Sequence, residues 1–179
     1  MRLIIDAFDF AKEKHLGQVR KGSGDAYLTH PVSVSYIVAR YKISKHLEEL
    51  LAAAYLHDTL EDTNTTFAEL ADRFGPMVAS IVYELTNDEK EITLIGKKAY
   101  QKKKMVGMSS YALILKLADR MHNISDQPTM KMVDDTLEIM QHLLTARKLT
   151  KTHTLMVNDI IAECYAIKAK DLAQKLVTA

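Results

Sequence analysis

The stretch that decides the fold is LAAAYLHDTLEDT, Leu51–Thr63. Leu50, Leu51, Ala54 and Tyr55 recur at helical spacing, which predicts a buried helix ending at His57-Asp58, with Glu61 and Asp62 one turn further on. On a continuing helix His57 lies under Glu61 and Asp58 under Asp62, so each pair shares a face. A histidine and three carboxylates at the end of an apolar helix are costly to bury unless something pairs with them, and a metal ion is the usual partner. Two readings fit these residues: a metal-bearing helix end, and a helix running out into a solvated acidic loop. The first needs more ligands from elsewhere in the chain.

Helical patterning continues outward on both sides. Residues 2–16 pattern as a helix with Leu3, Ile4, Ala7, Phe8, Phe10 and Ala11 inward. Gly17–Pro31, GQVRKGSGDAYLTHP, holds three of the six glycines and reads as an ordered loop, with room for a short hairpin. Pro31 then opens a helix with an apolar face of Val34, Ile37, Val38 and Tyr41. Ser44 is the expected N-cap of the helix that ends at His57. Thr66 and Glu69 form a capping box for a short helix closed by Gly75, and Pro76 starts the next, with Val78, Ile81, Val82 and Leu85 inward.

Residues 87–108 are the weakest in pattern and the most basic, with Lys90, Lys97, Lys98, Lys102, Lys103 and Lys104. They read as a solvated helix face or, alternatively, a mobile basic flap over an anionic substrate. Ser109 or Ser110 caps the apolar helix YALILKLADRMHNI, and two longer amphipathic helices follow at about 130–148 and 151–177. No stretch sustains strand alternation. The expected fold is all-α, a bundle of roughly eight to ten helices.

The chain has 179 residues, enough for a disulfide-free core, and reads as a single domain over 1–179. Its motif-bearing core spans about 5–125 and a helical part about 126–179. With 24 Lys+Arg against 23 Asp+Glu, the charge balance offers no footprint for a long nucleic acid. The single cysteine, Cys164, reads as a core thiol in a reducing compartment, and excludes a disulfide or thiolate-metal site within one chain. MRLIIDAFDFAKEK carries Asp6 and Asp9 in its apolar stretch, an amphipathic helix rather than a signal peptide. No apolar run approaches the roughly 20 residues of a membrane span. The expectation is a soluble, cytoplasmic protein, with the apolar faces of the last two helices open to a homo-oligomeric partner.

Two further positions supply candidate ligands. Asp119 is an acid within apolar ALILKLADRMHNI, where an ionised carboxylate must be paired, and Asn123 follows one turn on along the same face. His30 stands between the Gly-rich loop and Pro31, where the backbone is restrained. The set His30, His57-Asp58 and Asp119 resembles the H…HD…D signature of the HD phosphohydrolase superfamily. Two imidazoles and two carboxylates suit Mn²⁺, Fe²⁺, Co²⁺ or Zn²⁺, with open positions for water and a phosphate oxygen.

HLGQVRKGSGDAYLTHP (15–31), AAAYLHDTLEDTNTTFAELADRFGPMVASIV (52–82) and LKLADRMHN (115–123) together resemble the hydrolase domain of the RelA/SpoT family, including its small stand-alone alarmone hydrolases. The resemblance covers about 5–125; beyond it, only helical character matches. It implies that His30, His57, Asp58 and Asp119 bind one divalent metal, typically Mn²⁺, and that Glu61 and Asp62 are the catalytic pair. It also implies that Arg20 and Lys21 line a guanine nucleotide pocket, with Asn123 at the sugar and phosphates and Tyr27 beside the loop.

This sequence departs from the family at Asp25-Ala26 (commonly Glu-Pro), at Gly22 (often serine) and at Ile124-Ser125-Asp126, where an arginine is lost. The family's synthetase half is absent from the sequence. The activity implied is metal-assisted removal of the 3′-pyrophosphate from ppGpp or pppGpp. The alternatives are a phosphatase on NADPH or on a nucleoside mono- or triphosphate, and a catalytically silent nucleotide-binding domain, from which loss of ligands is expected. His15, His46, His122, His142 and His153 are read as structural or surface residues.

Overall fold

A computed structural model describes residues 1–177, so the last two residues of the 126–179 part lie outside the described residues. Among the described residues there are eleven helical segments and no strand, as the all-α reading expects. The hairpin left open in the Gly-rich loop reduces to one bridge, Val19 to Ala26.

The molecule is built on two apolar helices. Helix α3, Leu47–Leu56, buries Leu50, Ala52, Ala53, Ala54 and Leu56. Three successive alanines let neighbouring backbones approach on several sides, and α1 (Arg2–Lys14), α2 (Thr29–Tyr41) and α6 (Pro76–Leu85) all pack against α3. Helix α9, Ser110–Ser125, buries every residue from Ala112 to Asp119 and packs on α2, α3, α6, α10 (Met130–Ala146) and α11 (Lys151–Val177). One hydrophobic cluster runs from Ala7 on α1 to Cys164 on α11. Each fully buried leucine in it contributes about 1.5–3 kcal/mol of burial.

Local signals set most helix ends. Thr66 Oγ1 accepts the Glu69 N–H at 3.2 Å and opens α5, Phe67–Phe74. Gly75 ends α5 with φ +87°, a conformation costly to any residue with a Cβ, and Pro76 begins α6. Ser109, not Ser110, caps α9 by accepting the Ala112 N–H at 3.3 Å. Ser44 does not cap α3: its Oγ accepts the His46 N–H at 3.1 Å, so it closes the preceding turn, and α3 begins at Leu47 with no side-chain cap. Leu155 and Leu172, expected on the buried face of α11, are 53% and 60% exposed, because that helix buries only one narrow side.

The basic stretch forms α7, Glu89–Ile95, and α8, Lys97–Gly107, capped by Asp88 at α7. Arg147 fixes α8 against α10: its Nη1 donates to the carbonyls of Met105, Val106 and Met108 at 3.0, 3.2 and 2.9 Å, satisfying acceptors left open by the helix end. Lys98 and Lys102 each sit 2.5 Å from Glu138, and Lys103 pairs with Glu91 at 2.5 Å. Most of the stretch is a solvated helix face laced with ion pairs, while Lys97 and Lys98 at the start of α8 also border the cavity of the candidate active site. Among the described residues, no helix is long and apolar enough to cross a membrane.

Candidate active site

The short helix α4, Thr59–Asp62, follows α3 after a break at His57-Asp58. The apolar helix thus ends at His57, where the sequence places its end. Asp58 sits at φ −100°, ψ −2°, and its carbonyl accepts the N–H groups of Glu61 and Asp62. The Glu61 carboxylate accepts from Asn87. Asp58 turns back, with Oδ2 2.9 Å from His57 Nε2.

Packing of α2 and α9 on α3 brings the other two donors to the same point. His30 Nε2, in the first turn of α2, lies 3.1 Å from His57 Nε2, 3.3 Å from Asp119 Oδ1 and 3.6 Å from Asp58 Oδ2. His30, His57 and Asp119 are all buried, and each offers a ligand atom within 4.8 Å of the others. A four- to six-coordinate ion with bonds of about 2.0–2.2 Å sets neighbouring donors about 2.8–3.6 Å apart. The separations from His30 to the other three donors and from Asp58 to His57 meet that requirement. His30, His57 and Asp119 form the mutual set, with Asp58 joined to it through the two histidines, and the donor chemistry is that of a divalent cation site.

Supporting contacts orient these donors. His57 Nδ1 donates to the Ala54 carbonyl at 2.8 Å, which leaves Nε2 facing the other ligands. Asp119 accepts from Asn123 Nδ2 on Oδ1 at 2.5 Å and from Lys116 Nζ on Oδ2 at 3.0 Å. Burial works against a charged His57, but Asp58, Asp119 and the Ala54 carbonyl outweigh it and hold its pKa up at about 9. Burial likewise opposes ionisation of the carboxylates. His57 overrides it at Asp58, and Lys116 with His30 at Asp119, so both stay below the usual carboxylate range. In the absence of a cation, a proton on His57 thus balances the acids.

The donors open onto a cavity of about 820 Å³ whose walls include Arg20, Tyr27, Glu61, Asp62, Lys116 and Asn123. Burial, opposed by the Asn87 N–H and by Lys116, raises the Glu61 pKa above the ordinary glutamate value. Asn87 Nδ2 also donates to Glu61 Oε2 at 3.3 Å, and Gln101 holds Asn87 at 3.0 Å. The Tyr27 hydroxyl donates to Asp58 at 2.5 Å and to Asp62 at 3.2 Å, while its ring stacks on His15 at 4.7 Å. Its phenol is held well above the usual range by burial, then by Asp58 and Asp62.

Arg20 is held rather than free. Its Nε and Nη2 lie 3.0 and 2.9 Å from Asp126 Oδ2, and Nη2 donates to Asn123 Oδ1 at 2.9 Å. Asn123 therefore bridges Arg20 to Asp119. Lys21 is exposed and stands off the cavity wall. Of the ten residues singled out in the sequence, the structure gathers all but Lys21 around one centre.

Sequence reading missed three contributors. Lys116 had a signal, a cation within an apolar run and one turn before Asp119. Asn87 had none, because its contact with Glu61 depends on how α6 ends. His122, read as structural or surface, lies with Nδ1 2.8 Å from His30 Nδ1. Burial, then His30 and Arg20, push its pKa down to about 4.

The family model described as HD domain matches residues 7–150. The chain is 35% identical over 150 residues to a GTP pyrophosphokinase rsh of Brucella ovis, covering 76% of this chain and 19% of that protein, so it spans about a fifth of such relatives. It is 40% identical over 125 residues to the guanosine-3′,5′-bis(diphosphate) 3′-pyrophosphohydrolase MESH1 of Xenopus tropicalis, covering 69% of each. The solved structure of a metazoan ortholog of SpoT, described as hydrolysing ppGpp, superposes with TM-score 0.75 at 28% identity over 91% of this chain and 96% of that one.

Proposed function

The chain belongs to the HD domain family, and on that premise we propose that it is a metal-dependent phosphohydrolase that removes the 3′-pyrophosphate of ppGpp or pppGpp. The products would be GDP or GTP and pyrophosphate. The observation that carries this reading is the convergence of His30, His57, Asp58 and Asp119 beside a cavity lined by Glu61 and Asp62. The pyrophosphohydrolase named in the Xenopus relative, of which this chain covers 69%, supports the substrate.

His30, His57, Asp58 and Asp119 would hold one divalent ion, Mn²⁺ in this proposal, with Fe²⁺, Co²⁺ or Zn²⁺ fitting the same donors. When bound, such an ion supplies Lewis acidity toward a phosphoryl oxygen and a more acidic water. Glu61, whose carboxyl pKa is raised by burial, is suited to take or return a proton, and Asn87 holds it in place. Asp62 shares the Tyr27 hydroxyl with Asp58, which links one member of the proposed catalytic pair to a metal ligand.

Arg20 presents a flat guanidinium 6.0 Å from the Tyr27 ring centroid, fixed by Asp126 and Asn123, which suits stacking on a purine. Lys21, exposed and off the cavity wall, would contact a phosphate only by extending its flexible stem toward the site. A second reading, a phosphatase on NADPH or on a nucleoside mono- or triphosphate, is favoured by one observation. The Arg20 charge is already compensated by Asp126, which weakens its call on a particular nucleotide. Cytoplasmic residence, supported by the lone buried thiol of Cys164, and self-association through exposed Leu172 and Leu176 complete the proposal.

The test is product analysis after incubation with ppGpp and Mn²⁺. GDP and pyrophosphate, abolished by EDTA and by His57→Ala, are expected. Intact ppGpp with Mn²⁺ demonstrably bound would refute the substrate, and orthophosphate released from NADPH would then favour the second reading.

A further inference from the structure

The two imidazoles at the centre are anchored differently. His57 Nδ1 donates to a backbone carbonyl, fixed by the helix itself. His30 is 1% exposed, and the one hydrogen-bond partner of its Nδ1 among the described residues is His122 Nδ1, at 2.8 Å. Two ring nitrogens at that distance need one proton between them. If it sits on His122, His30 carries its own proton on Nε2 and has no lone pair for a cation. If it sits on His30 Nδ1, the Nε2 lone pair points at His57, Asp58 and Asp119.

We infer that His122 is the positioning residue for the metal ligand His30: its Nδ1 accepts the His30 Nδ1 proton and so fixes both tautomer and ring orientation. This rests on the metal reading above. The chain geometry supports it, because His122 follows Asp119 by three residues on α9. One helix face therefore delivers a ligand and the acceptor that orients a second ligand on α2. The rings are 4.9 Å apart and tilted by 49°, a contact held by the packing of α2 on α9. A metal-bound imidazole ordinarily gives its second N–H to a carboxylate, carbonyl or water. Here a neutral imidazole takes that part, and a side chain, unlike a carbonyl, is open to substitution.

The test compares Mn²⁺ affinity, read from the free-ion EPR signal, in wild type, His122→Phe and His122→Asn. Phenylalanine keeps a ring and removes the acceptor. Asparagine keeps an acceptor, since Oδ1 stands two bonds from Cβ as Nδ1 does. His122→Phe should lose about 10- to 100-fold in affinity, and His122→Asn should remain within about threefold of wild type. Wild-type affinity in the phenylalanine variant, or an equal loss in both, overturns the inference. Wild type that takes up no Mn²⁺ overturns the metal reading itself, a distinct failure. Should His122→Phe not fold in EDTA, ¹⁵N spectra of Zn²⁺-loaded wild type decide: a protonated His30 Nδ1 is expected, and a bare one overturns the assignment.

Discussion

Raising the pH in EDTA should destabilise this protein through His57. The imidazole titrates ordinarily at 6.5 and is held up to about 9 in the fold. Between those values the native state binds a proton that the unfolded chain has released, so stability falls as pH rises. The contribution is complete below 6.5 and is lost as pH climbs through about 9. A raise of this size on a buried group is worth about 3 kcal/mol. In a chain of this length that amounts to roughly 6–12 °C in Tm. Asp58 and Asp119, held below the carboxylate range, contribute stability that is lost only on acidification, so they leave this interval flat.

The assay is a set of thermal melts in EDTA at constant ionic strength from pH 6.5 to 9, with His57→Asn as the control that removes the titrating group. Saturating Mn²⁺ should level the trend, because the gain in metal affinity offsets the loss of the proton's contribution. The ion needs the neutral imidazole, displaces its proton, and binds about tenfold more tightly per pH unit on the way up. Melts in EDTA that stay level over the interval, or a decline that persists in His57→Asn, would refute the reasoning.

Two further substitutions separate chemistry from scaffold. Glu61→Gln keeps the shape of the side chain but cannot exchange a proton. It should lower kcat by about 10²–10⁴-fold while Mn²⁺ affinity by EPR stays at the wild-type level, and a parallel loss of metal would place Glu61 among the ligands instead. Arg147→Ala removes the donor shared by three carbonyls at the end of α8 and should cost about 2–3 kcal/mol in urea unfolding. A change under about 0.5 kcal/mol would show that water replaces the guanidinium there.

The fold was legible where local chemistry decides: the Thr66 cap, Gly75, Pro76 and the apolar faces of α2, α6 and α9 were all in place in the sequence. Ser44 misled because its hydroxyl accepts the His46 N–H two residues on, closing a turn instead of capping the helix. At the site, the His and Asp identities carried the donor set, but contacts that depend on one helix meeting another left no local trace. Arg20 with Asp126 is such a contact, as is Asn87 with Glu61. So is His30 with His122, where residues 92 positions apart meet only because α2 lies along α9.

The end of α3 at His57 is the informative feature of the site. Adjacent residues on a continuing helix point about 100° apart and do not face each other. An uninterrupted α3 would therefore send the His57 and Asp58 side chains in different directions. The break at Asp58 lets its carboxylate fold back to 2.9 Å from His57 Nε2, while its carbonyl restarts the chain as α4 with Glu61 and Asp62 toward the cavity. A buried run of small residues brings the helix to the centre of the molecule. Its end there lets two residues adjacent in sequence turn toward one point, which side chains about 100° apart on a regular helix do not face.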